Sequence, residues 1–163
     1  MNDMTDTHIS LAHGNGGRFM RELIDEIFAR HLANDNLDVR VDSASLSLDS
    51  TDIIYTTDGF TVQPLEFPGG TIGSLAVHGT ANDLSVAGAI PRFLALNAFI
   101  EEGMEFAQLD RIIASLADAA SEAGMQVVAG DTKVLRRGEG GGLYLATTGI
   151  GMRDPGFDLG LDK

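Results

Sequence analysis

The chain has 163 residues, 44% of them hydrophobic, no cysteine, and eleven basic against twenty-four acidic side chains for a net charge of −13. That length supports one domain with a real core, and the lack of thiols excludes a disulfide framework, a thiolate metal site and a cysteine nucleophile within these residues. The acidic balance argues against nucleic-acid binding, which rewards clustered Lys and Arg.

The first residues, Asn2 to Thr7, are polar and carry no secretory pattern. Residues 17–33 read as an amphipathic helix, with Phe19, Met20, Leu23, Ile24, Ile27, Phe28 and Leu32 at helical spacing. Asn34-Asp35-Asn36 marks a turn. Strand-like segments follow at Val39–Val41 and Ile53–Thr57, the second continuing past Asp58-Gly59 through Phe60–Gln63, before Pro64 and Phe67-Pro68-Gly69-Gly70 break the pattern. A second helix is predicted over Ile72–Gly88, its small residues (Ala76, Gly79, Ala81, Ala87) suited to close packing on a sheet. Arg92–Ile100 reads as a strand. The stretch 84–100 is the longest nearly apolar one, but Pro91 and Arg92 break it and it falls short of the ~20 residues of a membrane span. The cytoplasm is therefore the default expectation, with no membrane partner.

The third helix has the clearest stripe, Phe106, Leu109, Ile112, Ile113, Leu116 and Ala120, with Gly124 placed to cap it. Met125–Ala129 and Leu143–Ile150 read as strands, joined through the hairpin-like loop Arg136–Gly142. Residues 153–163 read as a tail or the start of a linker. Helices alternating with strands, some of them paired as adjacent hairpins, favour an α+β architecture in which helices cover one face of a mixed sheet. No G-x-x-x-x-G-K-[ST] loop and no G-x-G-x-x-G between strand and helix is present.

Several carboxylates sit beside glycines and apolar runs, where an unpaired charge is expensive. Asn82-Asp83 falls within a helix of small residues, although neither is a good helix former, and this favours a functional role over a surface one. Asp131 follows Val127–Gly130 in what reads as a turn, Gly130-Asp131-Thr132-Lys133, at the end of a strand. Lys133 could approach a phosphate or pair with an acid. Taken alone, Asp42 reads as a turn residue, and Asp58-Gly59 as a hairpin signal. The stretch His13-Gly14-Asn15-Gly16-Gly17 reads equally well as a flexible entry to the first helix or as an anion-binding backbone at its start. Glu101-Glu102 reads as a charged strand end. His8, His31 and His78 lack zinc-ligand spacing. Acids gathered with glycine backbone suit a Mg-ATP site. A carboxylate ~4 Å from a phosphate oxygen costs about 4 kcal/mol at an effective dielectric of ~20, so such acids can face a triphosphate only through a metal.

Together, Ala12–Gly17, Thr56-Thr57-Asp58-Gly59-Phe60, Phe67–Gly70, Gly79-Thr80-Ala81-Asn82-Asp83-Leu84, Phe99–Gly103 and Gly130-Asp131-Thr132-Lys133-Val134 resemble the HypE family of hydrogenase expression/formation proteins. That family lies in the superfamily of aminoimidazole ribonucleotide synthetase and selenophosphate synthetase. The resemblance runs from about residue 8 to residue 152. It implies the N-terminal, ATP-binding and dimerisation half of that fold over residues 1–152, with 153–163 leading toward an absent C-terminal domain. It also implies ATP-dependent dehydration of a carbamoyl group, carried on a C-terminal cysteine, to a thiocyanate. By motif position, Asp42, Asp58 and Asp83 match acids holding Mg2+ and phosphates. Gly14, Gly16, Gly17, Asn82, Gly130, Asp131 and Thr132 match nucleotide-binding positions, and Asp83 and Lys133 match catalytic ones. Expected partners are a second copy of the chain, the hydrogenase maturation carbamoyltransferase and a small maturation chaperone. Without a cysteine, this stretch cannot complete the reaction alone. The alternatives are another ATP-dependent synthetase of the superfamily and, from a different class, a non-catalytic dimerisation and partner-docking module.

Overall fold

The computed structural model describes residues 7–156. Its centre is a four-stranded mixed sheet in the order β1-β6-β4-β5, formed by β1 (Ile53–Phe60), β4 (Ala89–Glu101), β5 (Gln126–Leu135) and β6 (Leu143–Arg153). A separate two-stranded hairpin joins β2 (Glu66–Phe67) to β3 (Gly70–Thr71). β4 and β5 run parallel, and β6 runs antiparallel to both β1 and β4. An α+β sandwich with a mixed sheet is therefore the observed architecture. Sequential hairpins, however, do not build it: β5 and β6 are not neighbours, so the loop between them crosses the end of β4 rather than folding a hairpin.

Helices form a layer on one face of the sheet. The first, α1, runs as α-helix over Arg18–Leu23, widens to a π-helix over Ile24–Ala29 and closes as α-helix over Arg30–Leu32. α2 (Ile72–Val86) is capped by Thr71, whose hydroxyl accepts the Gly73 and Ser74 N–H groups at 3.1 and 3.3 Å. α3 spans Phe106–Glu122, and every residue of its predicted stripe is buried. Its end is closed by the Met125 N–H on the Ala120 carbonyl at 2.8 Å, with Gly124 at φ +66. α2 and α3 touch where a small residue lets them: a Cβ on Gly73 would meet the Ile112 carbonyl oxygen at 2.4 Å. Leu84, Leu94, Ile100, Leu109, Ile112, Ile113, Leu116, Leu143 and Leu145 fill the space between layers, each stabilising the fold by roughly 1.5–3 kcal/mol through burial. No helix of the described residues is long and apolar enough to cross a membrane.

Five local expectations change. Val39–Val41 forms no strand, and residues 33–52 contain no regular element. Asp58-Gly59 is not a turn but lies within β1, opposite Thr147 and Ala146. β4 begins three residues earlier than Arg92, because the ladder to β6 shifts register between Pro91 and Phe93 and so accommodates a residue without an N–H. Gly130-Asp131-Thr132-Lys133 is strand, not turn: β5 continues to Leu135 because β4 offers a ladder partner at every position from Leu96 to Glu101. The strand expected to end at Ile150 runs on to Arg153, and the predicted tail beyond Gly156 lies outside the described residues.

Candidate functional site

β5 carries four of the residues singled out above. Gly130 sits where β4 comes closest, since a Cβ there would lie 2.4 Å from the Leu96 carbonyl oxygen. The two-residue period of a strand then turns Asp131 and Lys133 to the open face of the sheet and Thr132 to the helix-covered one. Asp131 and Lys133 pair at 2.7 Å with both side chains about half exposed, an arrangement worth at most about 1 kcal/mol, so little restrains the lysine from a ligand. Thr132 is buried, and its Oγ1 has no hydrogen-bond partner among the described residues. Such a group costs roughly 1–3 kcal/mol until something satisfies it.

Beside this strand opens a cavity of about 560 Å³. Its apolar wall comes from α1 through Met20, Ile24, Phe28 and Leu32, and from Leu96 and Val127 on the sheet. Its polar wall brings together Asp42, Ser43, Gly130, Asp131, Thr132 and Lys133. Two irregularities shape the pocket. The π-helical stretch of α1 supplies Ile24 and Phe28, and the β4–β5 register shifts between Leu94 and Ala95, leaving Val128 without an opposite residue. Both kinds of irregularity re-aim side chains and occur often at functional sites.

The glycine-rich stretch before α1 is fixed at both ends. His13 is buried, with Phe19 and Phe106 edge-on at ring-centroid distances of 5.6 and 5.1 Å, and its Nδ1 accepts the Ser10 N–H at 3.0 Å. Gly14 lies against β5: a Cβ there would come within 3.0 Å of Val134 Cβ. Gly16, at φ +73, then turns the chain into Gly17 and α1. All three glycines are exposed, next to the strand that carries Lys133.

The other candidates lie at the opposite edge. The Asp83 carboxylate accepts the Thr56 hydroxyl at 3.2 Å, joining α2 to β1. Asp58, two residues along β1, points to the same side of the sheet and accepts the Gly59 N–H at 2.7 Å. Asn82 is exposed beside Asp83, and the pair does not interrupt α2, which continues to Val86. The only sequence signal at Thr56 is its position two residues before Asp58.

β1 and β5 are the two edges of the sheet. Three strand spacings, about 14 Å, separate them, and helices cover the face between. A single chain thus gathers Asp42 with Gly130–Lys133, and separately Asp58 with Asn82 and Asp83. Among the described residues, no three His, Cys, Asp or Glu side chains come close enough together to hold a metal ion.

Comparison with known proteins places this geometry in context. The family described as AIR synthase related protein, N-terminal domain, matches residues 40–153. Carbamoyl dehydratase HypE of Azotobacter vinelandii is 48% identical over 161 residues, 99% of this chain and 47% of that protein. The chain spans about half the length of the curated relatives it matches. Among solved structures, hydrogenase maturation protein HypE in complex with ATP superposes with a TM-score of 0.85 at 46% identity, covering 88% of this chain and 43% of the other. A HypE–HypF complex superposes with a TM-score of 0.64 at 47% identity, covering 82% and 43%.

Proposed function

We propose that this chain, which belongs to the AIR synthase related protein family through an N-terminal domain at residues 40–153, is the ATP-binding half of a carbamoyl dehydratase of hydrogenase maturation. The observation that carries the nucleotide reading is the Thr132 hydroxyl, buried and unpartnered in the wall of a cavity shared with Lys133 and Asp42. In this reading the γ-phosphoryl group passes to the oxygen of a thiol-bound carboxamide, and loss of that oxygen as phosphate leaves a thiocyanate. The thiol comes from outside these 163 residues, which contain no cysteine.

The donor set suits magnesium. Mg2+ takes one or two carboxylates and completes its shell with water and substrate phosphates, so hard oxygen donors in ones and twos are enough. Asp58 and Asp83 at one edge, and Asp42 at the other, are the groups that would hold it; once bound, it supplies neutralisation of the triphosphate charge. Lys133 leaves its weak pairing with Asp131 for a phosphate oxygen. Thr132 donates its free hydroxyl, while Gly14, Gly16, Gly17 and Gly130 let phosphates come close to backbone, and Asn82 flanks them.

A second copy of the chain completes this arrangement. Among the described residues the outer edge of β1 has no ladder partner, and residues 43–50, which form no regular element, alternate exposed and half-buried side chains as a strand does. Docking of the β1 edge of one copy near β5 of another would unite the two acid groups that one chain holds about 14 Å apart. A carbamoyltransferase partner is proposed on the likeness to the HypE–HypF complex, together with a small maturation chaperone.

Thr132→Val tests the nucleotide reading directly. Removing an unsatisfied buried hydroxyl without changing shape should hold or raise the melting temperature, while ATP affinity measured calorimetrically with Mg2+ falls about tenfold. Unchanged affinity would remove Thr132, and the cavity with it, from the nucleotide site.

A further inference from the structure

At the end of β4 the half-buried Glu101 carboxylate is wrapped by the loop that crosses from β5 to β6. Its Oε1 accepts the Gly138 N–H at 2.6 Å, and its Oε2 accepts those of Gly140 and Gly142 at 3.1 and 3.0 Å. Three backbone donors converging on one carboxylate require a chain that curls around it. Gly138, Gly141 and Gly142 supply the curl at φ of +90, +55 and +93, a region closed to most side chains. Gly140 leaves room for the approach: a Cβ there would meet Leu135 Cδ1 at 2.9 Å and Glu101 Cβ at 3.4 Å. The loop is anchored on both sides, by the Glu102 N–H on the Leu135 carbonyl at 2.9 Å and the Glu101 N–H on the Gly142 carbonyl at 2.8 Å. The Gln63 side-chain amide donates to the Gly141 carbonyl. The Arg137 guanidinium lies against Gly103, where a Cβ would come within 2.5 Å of it, and adds positive charge near the same carboxylate.

We propose that the loop Arg136–Gly142 is a backbone anion receptor for a single small oxyanion, a carboxylate or a phosphate, and that Glu101 is its internal occupant. Successive N–H groups in turn conformation make concavities that bind oxyanions, and bonds from such donors to a charged oxygen are about twice as strong as neutral ones. The ionised form of Glu101 is favoured accordingly: the Gly138 bond first, then that from Gly142, holds its carboxyl below the ordinary range. In sequence these glycines look like slack; their order depends on one charge delivered by another strand. Without that charge the donors remain, and the loop becomes a vacant oxyanion site. This inference stands apart from the nucleotide reading, since neither Glu101 nor the loop lines the cavity.

Amide hydrogen exchange on the 163-residue chain, read by NMR, tests it. In the unaltered chain, Gly138, Gly140 and Gly142 should exchange at least about tenfold more slowly than Gly141, whose N–H is not one of the three donors. Glu101→Ala should bring all three to the Gly141 rate while α3 amides keep theirs, showing that the fold survives. Sodium acetate or inorganic phosphate, each titrated to tens of millimolar, should then restore slow exchange in the variant and leave the unaltered chain unchanged, as expected for charge-assisted bonds of this kind. Glu101→Gln, which keeps the shape but offers only one oxygen, should lose protection on one side of the loop and serves as the test if the alanine variant does not fold. Fast exchange at the three glycines in the unaltered chain, protection that persists without the carboxylate, or failure of both anions to restore it would each overturn the proposal.

Discussion

Asp83 is the residue at which function and stability separate most cleanly. It is exposed, its described partner is one hydroxyl, Thr56, at 3.2 Å, and α2 passes through it without a break. Asp83→Asn keeps the shape and a hydrogen-bond acceptor, so the melting temperature should stay within the ~0.5 kcal/mol range of surface changes. In the full-length enzyme, ATP turnover should fall by about a hundredfold or more, the usual cost of losing a group that stabilises phosphoryl charge. Normal turnover would return Asp83 to the surface. The sequence made this aspartate conspicuous, because an acid among small helical residues conflicts with local preference. It could not show that Thr132, an ordinary strand former, carries a buried hydroxyl without a partner, since burial of a single atom depends on α1 folding over β5 from a hundred residues away.

At the scale of elements, helices were the most legible because their signal is local. The α3 stripe repeats over four turns, and its cap lies within a few residues of its end. Gly130-Asp131 reads as a turn for an equally local reason, both residues being turn formers. The pairing with β4 overrides that preference and holds the segment extended, and such pairing cannot be seen in a five-residue window. The expected strand at Val39–Val41 had β-branched residues but finds no partner in one chain. A pH experiment probes one link between elements. Arg111 on α3 binds Glu66 on β2 through two bonds of 2.8 and 2.9 Å, and Gln108 adds a third at 3.1 Å. The Arg111 bond is the main cause holding the Glu66 carboxyl below its usual 4.5. The folded state therefore favours the ionised form. The stabilisation is present above the unfolded titration and is lost as pH falls through the lower folded value. Arg111→Met should lower stability near neutrality, change it little below about pH 3, and so flatten the profile over about pH 3–5, as followed by thermal melts from acid to neutral pH. An unchanged acid limb would show that the pair is too well solvated to matter.

For the whole molecule, the decisive question is whether two copies share a site. Sequence supplied the motifs of both acid groups but not their placement on opposite edges, which follows from strand order alone. The shared-site reading makes a specific demand on mixtures. Full-length chains carrying Asp83→Asn and full-length chains carrying Lys133→Ala, each inactive by itself, should recover about a quarter of normal turnover when mixed and allowed to exchange, because half the dimers are mixed and one of their two sites is intact. No recovery from chains shown by light scattering to form mixed dimers would confine each site to one copy.

The position of β6 has a consequence for how the sheet is made. It is the last of the described strands, yet it lies between β1 and β4, and its ladder to β1 joins Met152 to Ile53. Before β6 arrives, β4 and β5 can pair through the helix that connects them, whereas β1 has no neighbour on either side. Assembly from the ends inward is thus impossible: a local β4-α3-β5 unit forms early, and the rest waits for a loop of about a hundred residues to close, which costs chain entropy before it returns any contact. Of the four strands of the described sheet, β1 emerges first on the ribosome and must wait for β6, which follows the other three. Until β6 emerges, Ile53, Ile54 and Tyr55 stand in a strand that has no ladder partner among the described elements.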